Sequence, residues 1–186
     1  MNQPLSPALF LDRDGTLHKD SGFLARFEDF QVIEGVEEAL HLAQKKGYRL
    51  FGVSNQSGVA RGYFPLETVR NLNEKIQEFF RLRGINLEEI AFCPHHPEGK
   101  VEPFNRECEC RKPKPGMLLD LANRYGLDLG RSFMAGDNLR DAEAGRRAGT
   151  VGVLIRPGNG IECLDKAGLI KEFDSLLVFV GTLPTL

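Results

Sequence analysis

The stretch FLDRDGTL, from Phe10 to Leu17, ends an apolar run with two aspartates. In an extended strand, residues i and i+2 project from the same side, so Asp12 and Asp14 direct their carboxylates to one region. Two such carboxylates repel each other unless a cation lies between them. A strand-ending Asx turn is the alternative interpretation, because Asp and Gly are the usual turn residues.

The rest of the chain alternates predicted strands with predicted helices. The predicted strands are PALFLD, YRLFGVSN, EIAFCPH, RSFMAGDN and VGVLIRPG, and SLLVFVG near the end is a candidate for one more. Helical spacing of apolar residues predicts helices over Val36–Lys46, Leu66–Arg83, Gly116–Tyr125 and LRDAEAGRRAG. Parallel strands need crossover helices, so the pattern predicts a doubly wound, Rossmann-like three-layer α/β sandwich. We expect a single domain over residues 1–186 without a large cap, because the insertions after strands one and three are short.

Polar residues follow three of these predicted strands. They are Asp12 and Asp14, Ser54 and Asn55, and Asp137 and Asn138. Ligands of doubly wound sheets bind at the carboxyl ends of the strands, so these residues are predicted to share a cleft with a lysine from CRKPKP. The set suits phosphoryl transfer: carboxylates bind Mg²⁺, one attacks phosphorus and another moves protons, while Ser54 and Lys112 bind the phosphoryl oxygens.

The composition is that of an ordinary globular protein. The chain has 186 residues, 41% of them hydrophobic and 27% charged, with a formal net charge of −2. That charge gives no basic field for nucleic acid, and no apolar run approaches the roughly 18 residues of a membrane helix. No secretory signal is visible at the N-terminus. We therefore expect a cytoplasmic monomer with a small-molecule substrate and with neither a nucleic-acid nor a membrane partner.

Three of the four cysteines are clustered in the insertion after the third predicted strand, about residues 93–115. Cys93-x-His95 and Cys108-x-Cys110 offer three thiolates and an imidazole, a set suited to a structural, tetrahedral Zn²⁺. Buried free cysteines are the alternative, and the spacing also allows His96 to replace His95. Cys163 stands apart and is interpreted as a packing residue.

Four motifs in order, DRDGTL, SNQSG, RKPKPG and GDNLRDAEAG, resemble those of the haloacid-dehalogenase superfamily of phosphohydrolases, over about Ala8 to Arg156. CPHHPEG followed by CECRKPKPGM resembles the zinc-bearing branch of that superfamily. This branch contains the D-glycero-D-manno-heptose 1,7-bisphosphate 7-phosphatases and the histidinol-phosphatases. SNQSGVARGYF is more similar to the heptose enzymes.

The resemblance implies a role for each matching residue. Asp12 would be the nucleophile and Asp14 the general acid and base, with Ser54 and Lys112 stabilising the phosphoryl group. Mg²⁺ would be held by Asp12, the main-chain carbonyl of Asp14, and Asp137, and Zn²⁺ by Cys93, His95, Cys108 and Cys110. The substrate would be recognised by Asp20, Ser21, Gly22, Phe23, Ser54, Asn55, Gln56, Ser57, Arg111, Lys112 and Asn138.

The implied activity is Mg²⁺-dependent hydrolysis of the 7-phosphate of the heptose bisphosphate, a step of carbohydrate metabolism. Histidinol-phosphate hydrolysis is the alternative, and a non-catalytic, zinc-stabilised binding module is a third interpretation that the presence of Asp12 disfavours. The sequence departs from the heptose enzymes at Asn138, where their pattern has lysine. The preferred sugar and its anomer therefore remain open at this point.

Overall fold

The strands of the protein form one sheet with Ala8–Leu11 near its centre. The computed structural model describes residues 5–20, 22–157, 162–163 and 170–186. The strands are β1 (Ala8–Leu11), β2 (Arg49–Asn55), β3 (Leu87–Cys93), β4 (Phe133–Gly136), β5 (Val151–Ile155), β6 (Glu162–Cys163) and β7 (Ile170–Phe173). Their order is β3-β2-β1-β4-β5-β7-β6, and all neighbours are parallel except the edge strand β6, which is antiparallel to β7.

Helices cover both faces of this sheet. They are α1 (Val36–Lys45), α2 (Gly58–Arg61), α3 (Leu66–Arg81), α4 (Gly116–Tyr125), α5 (Leu139–Ala148) and α6 (Leu176–Thr182). Alternate residues of β1 point to opposite faces. Leu9 and Leu11 pack in a core with α1, α3 and α6, whereas Ala8 and Phe10 pack in a second core with α4 and α5. The predicted doubly wound, three-layer architecture is therefore confirmed.

The C-terminal segment SLLVFVG was predicted as a strand, and this prediction is wrong. Residues Leu176–Thr182 form helix α6, and the last parallel strand is β7, which precedes it. The Ser175 hydroxyl accepts a hydrogen bond from the Val178 amide at 3.2 Å and caps the helix. Leu176, Phe179 and Val180 are buried at helical spacing. A wholly apolar run of this length has no polar positions to reveal its period.

Two insertions extend from the carboxyl edge of the sheet. The first follows β1 and contains one 3-10 turn, Phe27–Asp29. The second follows β3, and residues 94–115 within it contain no helix or strand. Short helix α2 follows β2 directly and was not predicted from the sequence. In the described part of the chain, no helix has the length and apolarity needed to cross a bilayer.

Candidate active site

The predicted strand ends meet because β2, β1 and β4 are neighbours in the sheet. The pairing of β1 with β4 continues beyond the strand, since the Asp12 amide donates to the Ala135 carbonyl at 2.9 Å. Asp12 therefore lies between Ser54, at the end of β2, and Asp137, which follows β4. Asp12 and Ser54 are buried, and Asp137 is half-buried.

Three carboxylates form the centre of the site. Oxygen atoms of Asp12, Asp137 and Asp141 all lie within 4.8 Å of one another. Sequence reasoning did not assign Asp141, although it lies in the motif GDNLRDAEAG. Asp141 occupies the first turn of α5, which begins two residues after Asp137, so the turn of the helix brings the two acids together. The short separation of Asp137 and Asp141 in the sequence is the signal that could have identified Asp141.

Gly15 allows the turn after β1 to approach this cluster closely. Its φ of +82° lies in the left-handed region, and a Cβ built on it would lie 2.2 Å from Asp137 Oδ2. Any side chain at position 15 would therefore displace the Asp137 carboxylate. The glycine of DRDGTL is needed for space as well as for conformation.

Lys112 is the buried cation of the site. Its Nζ lies 2.8 Å from Asp12 Oδ1 and 2.8 Å from Asp141 Oδ1, and donates to the Val53 carbonyl at 2.6 Å. The main chain of Lys112 is held by Asn55, whose amide donates to the Lys112 carbonyl and accepts from its N–H, both at 3.0 Å. Asn55, predicted as a substrate contact, thus binds the backbone of the catalytic lysine candidate.

Burial sets the electrostatics of the cluster. It raises the pKa of Asp12 to about 7; Lys112 opposes this rise, and the negative charge of Asp141 adds to it. Burial also raises the pKa of Asp137, with a further contribution from Asp141 and an opposing one from Arg140. Burial works against the charge of Lys112, but the two carboxylates outweigh it and keep its pKa above the usual value. One ammonium for three acids leaves room for an added cation.

Asp14 lies beside this cluster and is held by a separate set of donors. Its carboxylate contacts His18 Nε2 at 2.8 Å, accepts from Arg13 Nε at 2.9 Å and accepts from Gln56 Nε2 at 2.6 Å. Burial favours a raised pKa, but His18 and Arg13 outweigh it and hold the pKa of Asp14 well below its usual range. Ser54 Oγ is 3.4 Å from Asp14 Oδ2. Gln56, predicted as a substrate contact, is buried and bonded to Asp14.

Most of the remaining predicted substrate contacts lie in loops around the cleft. The Gly22 amide donates to Asp20 Oδ1 at 2.8 Å, and the exposed ring of Phe23 makes an edge contact with Tyr63, at 4.6 Å between centroids. Sequence reasoning had not singled out Tyr63. Ser57 is half-buried before α2. Ser21 lies outside the described residues.

Asn138 and Arg111 complete the predicted set. The Asn138 side chain accepts from the Arg140 amide at 3.2 Å and caps α5, while its own amide donates to Asp141 Oδ2 at 3.1 Å. This reciprocal capping box fixes Asn138 at the start of the helix. Arg111 is half-buried, and its Nη1 donates to the His95 carbonyl at 3.2 Å.

The end of β3 and the second insertion together bring three thiols and an imidazole into one cluster. Cys93, Cys108 and Cys110 Sγ atoms lie 3.1 to 3.5 Å apart, and His95 Nδ1 lies 3.4 Å from Cys110 and 3.6 Å from Cys93. His96 faces elsewhere: its Nε2 is 3.1 Å from Arg61 and its Nδ1 accepts from the Glu98 amide. The structure thus brings His95 rather than His96 to the cluster. The side chain of Cys163 lies outside the described part.

The donor chemistry of both clusters fits the expected metals. Ligands at about 2.3 Å from a tetrahedral Zn²⁺ are separated by roughly 3.8 Å, close to the sulfur separations found here. The cluster around Asp12 offers hard carboxylate oxygens, as Mg²⁺ prefers. Four protein ligands would close the zinc site, whereas the carboxylate cluster keeps one half-buried member, Asp137.

Known proteins of similar sequence decide the family. A family model described as HAD-hydrolase-like matches residues 109–168. The D-glycero-beta-D-manno-heptose-1,7-bisphosphate 7-phosphatase of Photorhabdus laumondii is 46% identical over 83% of both chains. The enzyme of the same name from Pasteurella multocida is 42% identical over 98% of this chain and 97% of its own. The chain belongs to the HAD-like phosphatases.

Solved structures agree with this assignment. The structure of the D,D-heptose 1,7-bisphosphate phosphatase of B. bronchiseptica, complexed with magnesium and phosphate, is 30% identical. The superposition covers 95% of this HAD-like phosphatase and 97% of the B. bronchiseptica chain, with a TM-score of 0.78. A HAD-like phosphatase from Mesorhizobium loti is 33% identical, covers 98% of this chain and 89% of its own, and has a TM-score of 0.84.

Proposed function

We propose that this phosphatase removes the 7-phosphate of D-glycero-D-manno-heptose 1,7-bisphosphate with Asp12 as its nucleophile. The observation that carries the chemistry is the meeting of Asp12, Asp137 and Asp141 around the Lys112 ammonium. The sugar is supported by the names of relatives that are 42% to 46% identical over most of the chain.

Asp12 would attack phosphorus. In the proposed reaction its carboxylate forms an aspartyl phosphate while the bond to the sugar oxygen breaks, and water then releases phosphate and regenerates the acid. Lys112 and Ser54 would bind the phosphoryl oxygens, where negative charge is spread in the transition state. Mg²⁺, held by Asp12, Asp137 and the main-chain carbonyl of Asp14, supplies Lewis-acid stabilisation of that charge when bound. Asp141 would contribute by orienting Lys112.

Asp14 would move the protons. Its carboxylate is ionised, as acceptance of a proton from the attacking water requires, although the contacts with His18 and Arg13 also make it a weaker base. Donation to the leaving sugar oxygen requires the protonated acid. We propose that the side chain turns away from Arg13 and His18 towards Asp12 for that step, which raises its pKa.

The proposed zinc site would contribute to substrate recognition by orienting Arg111. Cys110 directly precedes Arg111, and His95 accepts the Arg111 hydrogen bond through its carbonyl. Cys110 and His95, if they hold a Zn²⁺, would fix both ends of this contact and so orient Arg111 towards the substrate. A cytoplasmic location, a monomeric state and a single domain stay predictions from the sequence.

Phosphate release from a panel of substrates tests the proposal. The panel contains both anomers of the heptose bisphosphate, histidinol phosphate and p-nitrophenyl phosphate, each with and without Mg²⁺, and the Asp12→Asn variant measures the background. We expect the highest kcat/KM with a heptose bisphosphate, the β anomer foremost, as in the names of the relatives. Faster hydrolysis of histidinol phosphate than of both anomers would refute the proposed substrate.

A further inference from the structure

Several arginines have no carboxylate partner in the described part of the chain. Nine other arginines each pair with an acid, whereas no ion pair within the described ranges involves Arg106, Arg131 or Arg156; the paired arginines are Arg13, Arg26, Arg49, Arg70, Arg81, Arg83, Arg124, Arg146 and Arg147. Within the described ranges, Arg61, Arg111 and Arg140 form none. Arg61 contacts His96, and Arg111 donates to the His95 carbonyl. The Arg140 side chain is exposed and makes no hydrogen bond within those ranges.

Arg111 and Arg140 lie beside the same contact. They immediately precede Lys112 and Asp141, whose side chains meet at 2.8 Å in the buried cluster. The charge of Arg140 reaches the Asp137 carboxylate and also the Arg111 guanidinium. Burial lowers the pKa of Arg111, and Arg140 and Arg61 act in the same direction. The Lys112–Asp141 contact therefore brings Arg111, from the second insertion, and Arg140, from the first turn of α5, to neighbouring positions.

Apart from the attraction of the Asp137 carboxylate, the position of Arg140 is electrostatically unfavourable. It lies in the first turn of α5, where the helix dipole is positive, whereas the other arginines of this helix lie in its last turn. Repulsion from Arg111 adds to this cost. Asn138, two residues before Arg140, contributes no charge because it is a neutral helix cap. An anionic group between Arg111 and Arg140 would reverse both penalties.

We propose that Arg140 is a specificity-determining residue that binds, together with Arg111, the phosphate of the substrate that is not cleaved. Lys112 and Mg²⁺ serve the reacting phosphate, so the second phosphate of a bisphosphate needs its own cations. A guanidinium suits this task, because its planar set of N–H groups can bind two phosphate oxygens at once. This inference rests on the proposed bisphosphate substrate.

Arg140→Gln tests the inference, with Arg146→Gln as the matched control. Arg146 is exposed on the same helix and pairs with Glu143, so its loss removes the same charge away from the cleft. Steady-state kinetics compare heptose 1,7-bisphosphate with heptose 7-phosphate. We expect Arg140→Gln to lower the kcat/KM ratio of bisphosphate to monophosphate by about tenfold or more, mainly through KM. Arg140→Lys should recover part of the ratio, and Arg146→Gln should leave it unchanged.

Heptose 1-phosphate, the product, gives a second measurement without turnover. Its inhibition constant against the monophosphate should rise in Arg140→Gln by a similar factor. An unchanged ratio together with an unchanged inhibition constant would overturn the role of Arg140, and so would an equal loss with both substrates. If the wild type itself shows no preference for the bisphosphate, the proposed substrate is wrong, and the inference fails with it.

Discussion

Replacing Lys112 with methionine should expose how much the carboxylate cluster depends on its one buried ammonium. The lysine side chain is fully buried and lies 2.8 Å from both Asp12 and Asp141, which are themselves almost inaccessible to water. Methionine fills a similar volume but leaves two buried acids without their cation. Removing one partner of a buried ion pair costs about 3–5 kcal/mol. For a chain of this length that corresponds to a fall in Tm of roughly 6–20 °C.

The measurement is thermal unfolding at pH 8 in buffer freed of Mg²⁺ without a chelator, since a chelator would also remove Zn²⁺. Lys114→Met is the control, because Lys114 is partly exposed and pairs only with the exposed acids Glu107 and Glu109. Its loss should cost less than about 1 kcal/mol. Added Mg²⁺ should stabilise Lys112→Met more than the wild type, because the cation replaces the missing charge.

Acid should also reduce the effect. The two carboxylates of Lys112→Met can take up protons, so the difference from the wild type should shrink as the pH falls from 8 towards 5. Activity should fall by about 10² to 10³ or more at every pH, since a donor to the phosphoryl oxygens is lost. A stability loss no larger than that of Lys114→Met at pH 8 would refute the electrostatic reasoning.

Three further changes test other parts of the site. Asp12→Asn should abolish turnover. The pKa of Asp12, about 7 in the folded protein, exceeds the usual 3.8, so in urea unfolding the metal-free wild type should lose stability relative to this variant as the pH rises from about 4 to 7. Cys108→Ser should lower zinc content from about one per chain and reduce Tm; wild-type protein that lacks zinc by elemental analysis would contradict the zinc site. In calorimetry, Gly15→Ala should show weaker Mg²⁺ binding, because the added Cβ displaces Asp137. Gly149 also has a positive φ, +96°, but a Cβ there would contact nothing, so Gly149→Ala should leave Mg²⁺ binding intact.

The sequence predicted the layers of this fold because its strands and helices differ in period. Helices with one apolar face, such as α3, show the spacing directly, and the structure ends α3 within two residues of the predicted end. The sequence did not predict helix α6, because both faces of this short segment are apolar and only the Ser175 cap distinguishes it from a strand. Its burial against α1 is a tertiary property that no local pattern contains.

The site was predictable where polar residues follow buried strands and less so where helices contribute. Asp12, Ser54 and Asp137 follow from their positions at the carboxyl ends of predicted strands. Asp141 lies inside a helix, where an acid is more often a solvated residue, and its contact with Lys112 depends on two segments 29 residues apart in sequence meeting. The amides of Asn55 and Gln56 looked equally suited to substrate, and only their partners in the structure distinguish them.

The Asn55 amide contacts both main-chain polar groups of Lys112, so the proposed catalytic lysine is anchored to the sheet and not to the loop that precedes it. Arg111, one residue earlier, is anchored to the loop through His95. Evolution can therefore lengthen, shorten or replace residues 94–110 and change which molecules are recognised without moving the ammonium that serves the chemistry. The same division marks a point at which a loop from a relative with another substrate can be grafted onto this sheet.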